Sequence, residues 1–194
     1  MQRKTIIRFT LLALSAGVVA CSSATEPIVV VPQLPEVPVE TVVLHAHFDD
    51  ENGGVGALNW TSFQHWNVVA GCVDLHGNGF HDVQAGNGIY VDLDGDCLAA
   101  GTLETKQAYD LTPGNYVVEF WLAGNNRVGP PDTVNVSVGT VFGEQIVMQR
   151  DDPFRLFTRF VTVTANTTAR LRFEALGADN QGALLDQVRL RHAP

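Results

Sequence analysis

A chain of 194 residues with 45% hydrophobic and 17% charged side chains has the composition of a folded globular protein, not of a disordered one. Its formal charge of −9 becomes −12 without Arg3, Lys4 and Arg8 of the first segment. A surface that acidic repels phosphate backbones and attracts divalent cations, which argues against nucleic acid as a partner.

In chain order, residues 1–20 read as a secretory signal: a basic start, then an apolar stretch from Phe9 to Ala20 that is too short to span a bilayer comfortably. It ends Val18-Val19-Ala20-Cys21, which resembles the bacterial lipobox, so Cys21 is the expected lipidation site. An ordinary cleavage site beside a chance cysteine is the alternative. Acyl chains hold a protein at a membrane because each buried methylene contributes about 0.8 kcal/mol. Ser22 and Ser23, in place of an acid, lean the expected location towards the outer membrane or cell surface of a bacterial envelope rather than the inner membrane. Residues 21–40 form a tether, with Pro27, Pro32, Pro35 and Pro38 keeping it extended. Residues 41–194 are then the folded domain. With Cys21 acylated, Cys72 and Cys97 remain as a pair suited to a disulfide in an oxidising compartment; two buried free thiols are the alternative.

From Thr41 onward the pattern is short runs of Val, Phe, Leu and Thr cut by Gly, Asn, Asp and Pro. Strands are expected at Val42–Phe48, Trp66–Leu75, Gly88–Leu93, Gly101–Tyr109, Asn115–Ala123, Thr133–Val138, Gln145–Gln149, Arg155–Ala165, Ala169–Ala175 and Ala183–Arg191. Tyr116, Val118, Phe120 and Leu122 alternate onto a core face, leaving Glu119 and Trp121 on the other. About ten such strands imply an all-β sandwich or jelly roll.

Several segments, taken in order, carry a resemblance: His47-Phe48-Asp49, Trp66 through Leu75, Val91-Asp92-Leu93-Asp94-Gly95, Leu111-Thr112-Pro113-Gly114, Phe120 through Asn125, and Gly182 through Leu190. The chain resembles the bacterial choice-of-anchor C domains and their relatives among plant cell-wall proteins, an uncharacterised domain family. The resemblance implies a galactose-binding-like jelly roll and, more loosely, a carbohydrate or cell-wall polysaccharide ligand. It departs in its anchor, which looks N-terminal and lipid here rather than a C-terminal sorting tail. It also implies a structural calcium where the first and last strands meet, at Asp49 and Asp186, with Asp50 and Glu51 close enough to contribute. A solvated turn at residues 49–51, with Asp186 only accepting backbone hydrogen bonds, is the alternative.

Other motifs weigh less. Asp92-Leu93-Asp94-Gly95-Asp96 lacks the EF-hand spacing and reads as a turn after a strand. His45 and His47 alternate on one strand as zinc ligands can, but none of His65, His76 and His81 is singled out as a third; surface or structural roles fit better. No G-x-S-x-G elbow occurs, and sequence alone pairs no two carboxylates across a cleft, so an enzyme is not expected. Sugar binding needs flat rings plus amides and charges. Trp121 and Glu119, with Asn125, Asn126 and Arg127 after them and Trp60 as a wall, form the expected set, with core packing the alternative for Trp60. The expected function is a non-catalytic, surface-anchored binding module. The rivals are a structural or adhesive lipoprotein that contacts an envelope protein, and a small polysaccharide-acting hydrolase.

Overall fold

The structure is a computed structural model that describes residues 41–97, 99–177 and 179–194. The signal segment, the Cys21 lipidation site and the tether lie outside the described residues. Among the described residues thirteen strands and one 3-10 turn follow in order: β1 Val42–Ala46, the turn Glu51–Gly54, β2 Trp66–Ala70, β3 Asp74–Gly77, β4 Ile89–Asp92, β5 Thr102–Thr105, β6 Tyr109–Leu111, β7 Gly114–Ala123, β8 Asp132–Val138, β9 Phe142–Met148, β10 Arg155–Val163, β11 Thr167–Ala169, β12 Leu171–Leu176 and β13 Leu184–His192. One sheet runs β10-β7-β13-β4-β3 with β1 also on β13; a second runs β2-β5-β12-β8-β9; β6 and β11 form a short pair. The chain passes repeatedly from one sheet to the other, giving the expected jelly-roll sandwich.

Three expected strands are each two. Trp66–Leu75 divides at Gly71 so that β2 and β3 join different sheets. Gly71 has φ +56°, and a Cβ there would stand 2.0 Å from the Ala100 carbonyl oxygen, so the crossing needs glycine. Gly101–Tyr109 divides after Thr105, and Ala169–Ala175 divides at Arg170. The two breaks hold each other: the Arg170 guanidinium donates to the carbonyls of Thr105 and Lys106.

The core lies between the sheets. Phe48, Phe63, Trp66, Phe120 and Phe173 are fully buried there and meet edge-on or tilted. Each such side chain contributes about 2–3 kcal/mol over leaving it in water. The alternation read on β7 holds: Tyr116, Val118, Phe120 and Leu122 are all in this core. On β13 the register against β7 shifts between Asp186 and Arg189, where Gln187 takes φ +41°. That bulge lets Leu185, Val188 and Leu190 all face inward.

Candidate functional site

The same alternation sends a second set of side chains to the outer face of the larger sheet. Leu75 and Val91 are in the core, so their neighbours Asp74, His76, Tyr90 and Asp92 point the other way, as do Trp121, Ala123 and Leu184. One half of this outer face is open. The other half is covered where Val83 and Phe154 pack on Tyr90, Ala123 and Leu184.

In the open half, Trp121 stands across from Leu156 on β10 and Asp186 on β13, and Glu119 across from Arg189. Trp121, Leu156, Glu119 and Arg189, with His45 and Gln187, line a groove of about 180 Å³. Trp121 is half-buried and Leu156 is exposed. The Arg191 Nη2 donates to Glu119 Oε1 at 2.9 Å, and Arg189 stands 4.0 Å away. The hydrogen bond from Arg191 is the main reason the Glu119 carboxyl lies below its usual range, so it is a fixed acceptor and a fixed charge. An apolar ring beside a locked ion pair can stack on a C–H face and bond hydroxyls.

In the covered half, β3 and β4 bring Asp74 opposite Asp92. Asp92 is fully buried; its Oδ1 accepts the N–H groups of Asp94 (3.0 Å) and Gly182 (2.8 Å), and its Oδ2 accepts Arg127 Nη2 at 2.6 Å. Burial pushes the Asp92 carboxyl well up, against the pull of these donors and Arg127. Asp74 accepts the N–H groups of Asn59 at 2.7 Å and Asp96 at 3.1 Å. Buried His76 lies between the two acids, 3.8 Å from Asp92 and 3.9 Å from Asp74, beyond hydrogen-bond reach of either, and its Nδ1 has no partner. Burial, then Arg127 and the stacked His81, lower its pKa to about 4, so it is neutral at pH 7. Asp74, His76, His81, Asp96, Arg127 and Asn180 line a pocket of about 130 Å³. The Cys72–Cys97 disulfide ties the entry to β3 to the loop after β4 beside this pocket.

The structure therefore separates the expected sugar set. Trp121 and Glu119 share the open groove, whereas Arg127 belongs to the covered cluster. Asn125 is buried, accepts the Arg127 N–H at 3.0 Å, and leaves its Nδ2 without a partner; Asn126 is exposed and its N–H goes to the Arg150 carbonyl. Trp60 packs half-buried against the core. The covered cluster was not assembled from sequence. Its traces there are the acidic turn from Asp92 to Asp96 and, inside an otherwise apolar run, Asp74 and His76; Arg127 arrives from a loop 35 residues beyond Asp92.

Of the acids expected to hold calcium, Asp49 and Asp186 act on each other: burial first, then Asp49, raise the Asp186 pKa to about 6. Asp49 Oδ1 also accepts the Ile89 N–H at 3.0 Å. Asp50 is exposed and lies 3.9 Å from His47. Glu51 is buried and its Oε1 takes the Gln64 N–H at 2.8 Å. A cation fits the Asp49–Asp186 pair by relieving its repulsion. Among the described residues no group of three or more His, Cys, Asp or Glu side chains is arranged to hold a metal ion.

No family model matches the chain, and no curated protein matches it. Solved structures do. A family 35 carbohydrate binding module from Clostridium thermocellum is 16% identical with a TM-score of 0.46, over 78% of this chain and 99% of that one. The CBM22-1 xylan-binding domain of Paenibacillus barcinonensis Xyn10C is 14% identical with a TM-score of 0.48, over 79% and 95%. An exo-β-1,3-galactanase from Phanerochaete chrysosporium is 16% identical with a TM-score of 0.41, over 71% of this chain and only 29% of the enzyme. Likenesses this distant carry no conclusion about ligand or activity.

Proposed function

We propose that the chain is a non-catalytic carbohydrate-binding module, held at a bacterial envelope by a lipid on Cys21. The observation that carries this reading is the half-buried Trp121 beside the Arg-locked Glu119 in an open groove on a rigid sheet. Sugar rings offer C–H faces to an indole and hydroxyls to charged and amide groups, and a preformed groove spares the ordering cost of binding. The ordered segments that resemble the choice-of-anchor C domains point the same way. Calcium between Asp49 and Asp186 would tie the loop after β1 to the last strand.

A glycan array with the purified full chain tests the reading. Binding to a polysaccharide that falls at least about tenfold on Trp121→Ala, with the circular dichroism spectrum unchanged, is the expected result. Binding untouched by that substitution would remove the groove from the proposal. Anchoring is tested by detergent partitioning, which Cys21→Ser should abolish. For calcium, Tm should rise with Ca²⁺ and the rise should shrink in Asp49→Asn.

A second reading has its own observation. Leu156 and Phe160 are 48% and 77% exposed on β10, the edge strand of the same sheet, and such a surface suits a protein contact in the envelope. No glycan binding, with co-purification of an envelope protein lost on Phe160→Ser, would favour it. Saturable turnover of a polysaccharide would favour a hydrolase instead.

A further inference from the structure

The larger sheet ends in β10, whose outer edge has no partner strand among the described residues. Its nine residues pair with β7 on the other side without a register shift. A long, regular edge offers a row of backbone donors and acceptors to a second strand, and proteins guard such edges with bulges, shortness, proline or charge. The other edges described here are guarded. β1 and β2 carry register shifts, β3 is four residues long and buried, and β9 carries Gly143, Glu144 and Gln145. By contrast β10 reads Arg155-Leu156-Phe157-Thr158-Arg159-Phe160-Val161-Thr162-Val163, with no proline, glycine or lysine. Leu156 and Phe160 are exposed on it. Its two charges are matched within the subunit: Arg159 Nη2 donates to Glu144 Oε1 at 2.8 Å, and Arg155 stands 3.7 Å from Asp152. Both guanidinium groups lie over the Phe157 ring, Arg155 at 4.9 Å and Arg159 at 5.4 Å from its centre.

We propose that β10 pairs antiparallel with β10 of a second copy of this chain, about a two-fold axis through Thr158. The side chains select this register. It sets Leu156 opposite Phe160 of the partner subunit on the outer face, and Phe157 opposite the partner's Arg159 on the inner one. An axis at Phe157 would set Arg155 opposite the partner's Arg159, and an axis at Arg159 would set Arg159 there. Both neighbouring registers therefore bring like charges together. Arg159 Nη1 donates to the Thr158 carbonyl at 3.0 Å, and that oxygen keeps a second lone pair for the new ladder. The pairing also bears on the groove, a consequence that rests on the carbohydrate reading of Trp121. Trp121 stands across from Leu156, so Phe160 of the partner subunit continues the same row and the two grooves share one continuous sheet. Strand spacing and rise put the two Trp121 rings roughly 20 Å apart, a gap that a polymer spans and a short oligosaccharide does not.

Sedimentation velocity on the purified full chain carrying Cys21→Ser, from about 1 to 200 µM, tests the pairing without any glycan. One strand pair is a small interface, so the expected result is a monomer–dimer equilibrium in the micromolar range. Phe160→Lys should weaken it about tenfold or more while the fold survives, because that side chain is 77% exposed. Oxidation of Thr158→Cys should trap a covalent dimer, since the axis sets that position against itself at about 5 Å between Cβ atoms, and Thr162→Cys should not. A monomer at every concentration, a dimer untouched by Phe160→Lys, or equal trapping at both positions would overturn the pairing. The first of these would return Leu156 and Phe160 to a contact with another envelope protein. On the glycan array, Phe160→Lys should lower binding to a polymer about tenfold and leave short oligosaccharides of the same sugar unchanged; equal losses would show the grooves to act singly. No binding to any glycan, with the dimer intact, would remove the carbohydrate reading and leave the pairing standing.

Discussion

One sheet face carries two chemistries, and they differ because of what lies over them. In both halves polar side chains alternate with core residues, and in both an arginine meets a carboxylate. In the open half, around Trp121, the Glu119–Arg191 pair is near water and Glu119 lies below its usual pKa. In the covered half, around His76, burial dominates: Asp92 is pushed up and His76 down, with several polar atoms left without partners. Water access, more than residue type, decides whether a charge on this sheet is easy or expensive to hold.

The comparison is tested first by removing each arginine. Arg127→Met leaves Asp92 buried without its cation and should cost about 3 kcal/mol in urea unfolding at pH 7. Arg191→Met should cost about 1 kcal/mol, because Arg189 stays within 4.0 Å of Glu119. Equal losses would erase the distinction between the halves.

The pH dependence of the covered half comes next. The folded pKa of His76, about 4, lies below its unfolded value of 6.5. The unfolded chain therefore takes the proton first as pH falls. Stability from this group is fully present above pH 6.5 and is lost as pH drops through about 4, by up to about 3 kcal/mol. Urea melts between these limits should show it, and His76→Gln should flatten that part of the curve. A variant curve parallel to the parent's would count against a buried neutral imidazole.

Asp132 should show the opposite sign. Burial, then Asp179 and Asp94, raise its pKa to about 7, so its contribution is present below the unfolded value of 3.8 and is lost as pH rises through about 7. In chelator at pH 8, Asp132→Asn should be more stable than the parent by about 1 kcal/mol, discounted for partial exposure, with the gain fading towards pH 4. The smallest effect on folding belongs to the open half: Trp121→Ala should change stability by about 1 kcal/mol or less, since its ring is only half-buried.

Much of the sandwich was legible because a period of two in hydrophobicity reports which face a side chain takes. It identified the inward set on β7 and put Trp121 outside. It could not show that Trp66–Leu75 crosses between sheets, because β2 and β3 share one apolar run and the break depends on Gly71 meeting Ala100 in space. The site was less legible for the same reason. Asp92 and Asp94 were visible as an acidic turn, but Arg127, Asp132 and Asp179 come to them from distant loops. Glu51 looked like a free acid beside Asp49 until the 3-10 turn carried it inward.

The irregularity at Gln187 has a consequence for how the last strand tolerates change. Gln187 is the extra, exposed residue of the bulge: without it Leu185, Val188 and Leu190 would still alternate inward with Asp186, Arg189 and Arg191 outward, whereas losing Arg189 instead would turn Leu190 towards water and Arg191 into the interior. A single-codon deletion should thus be borne at Gln187 and not two positions further on.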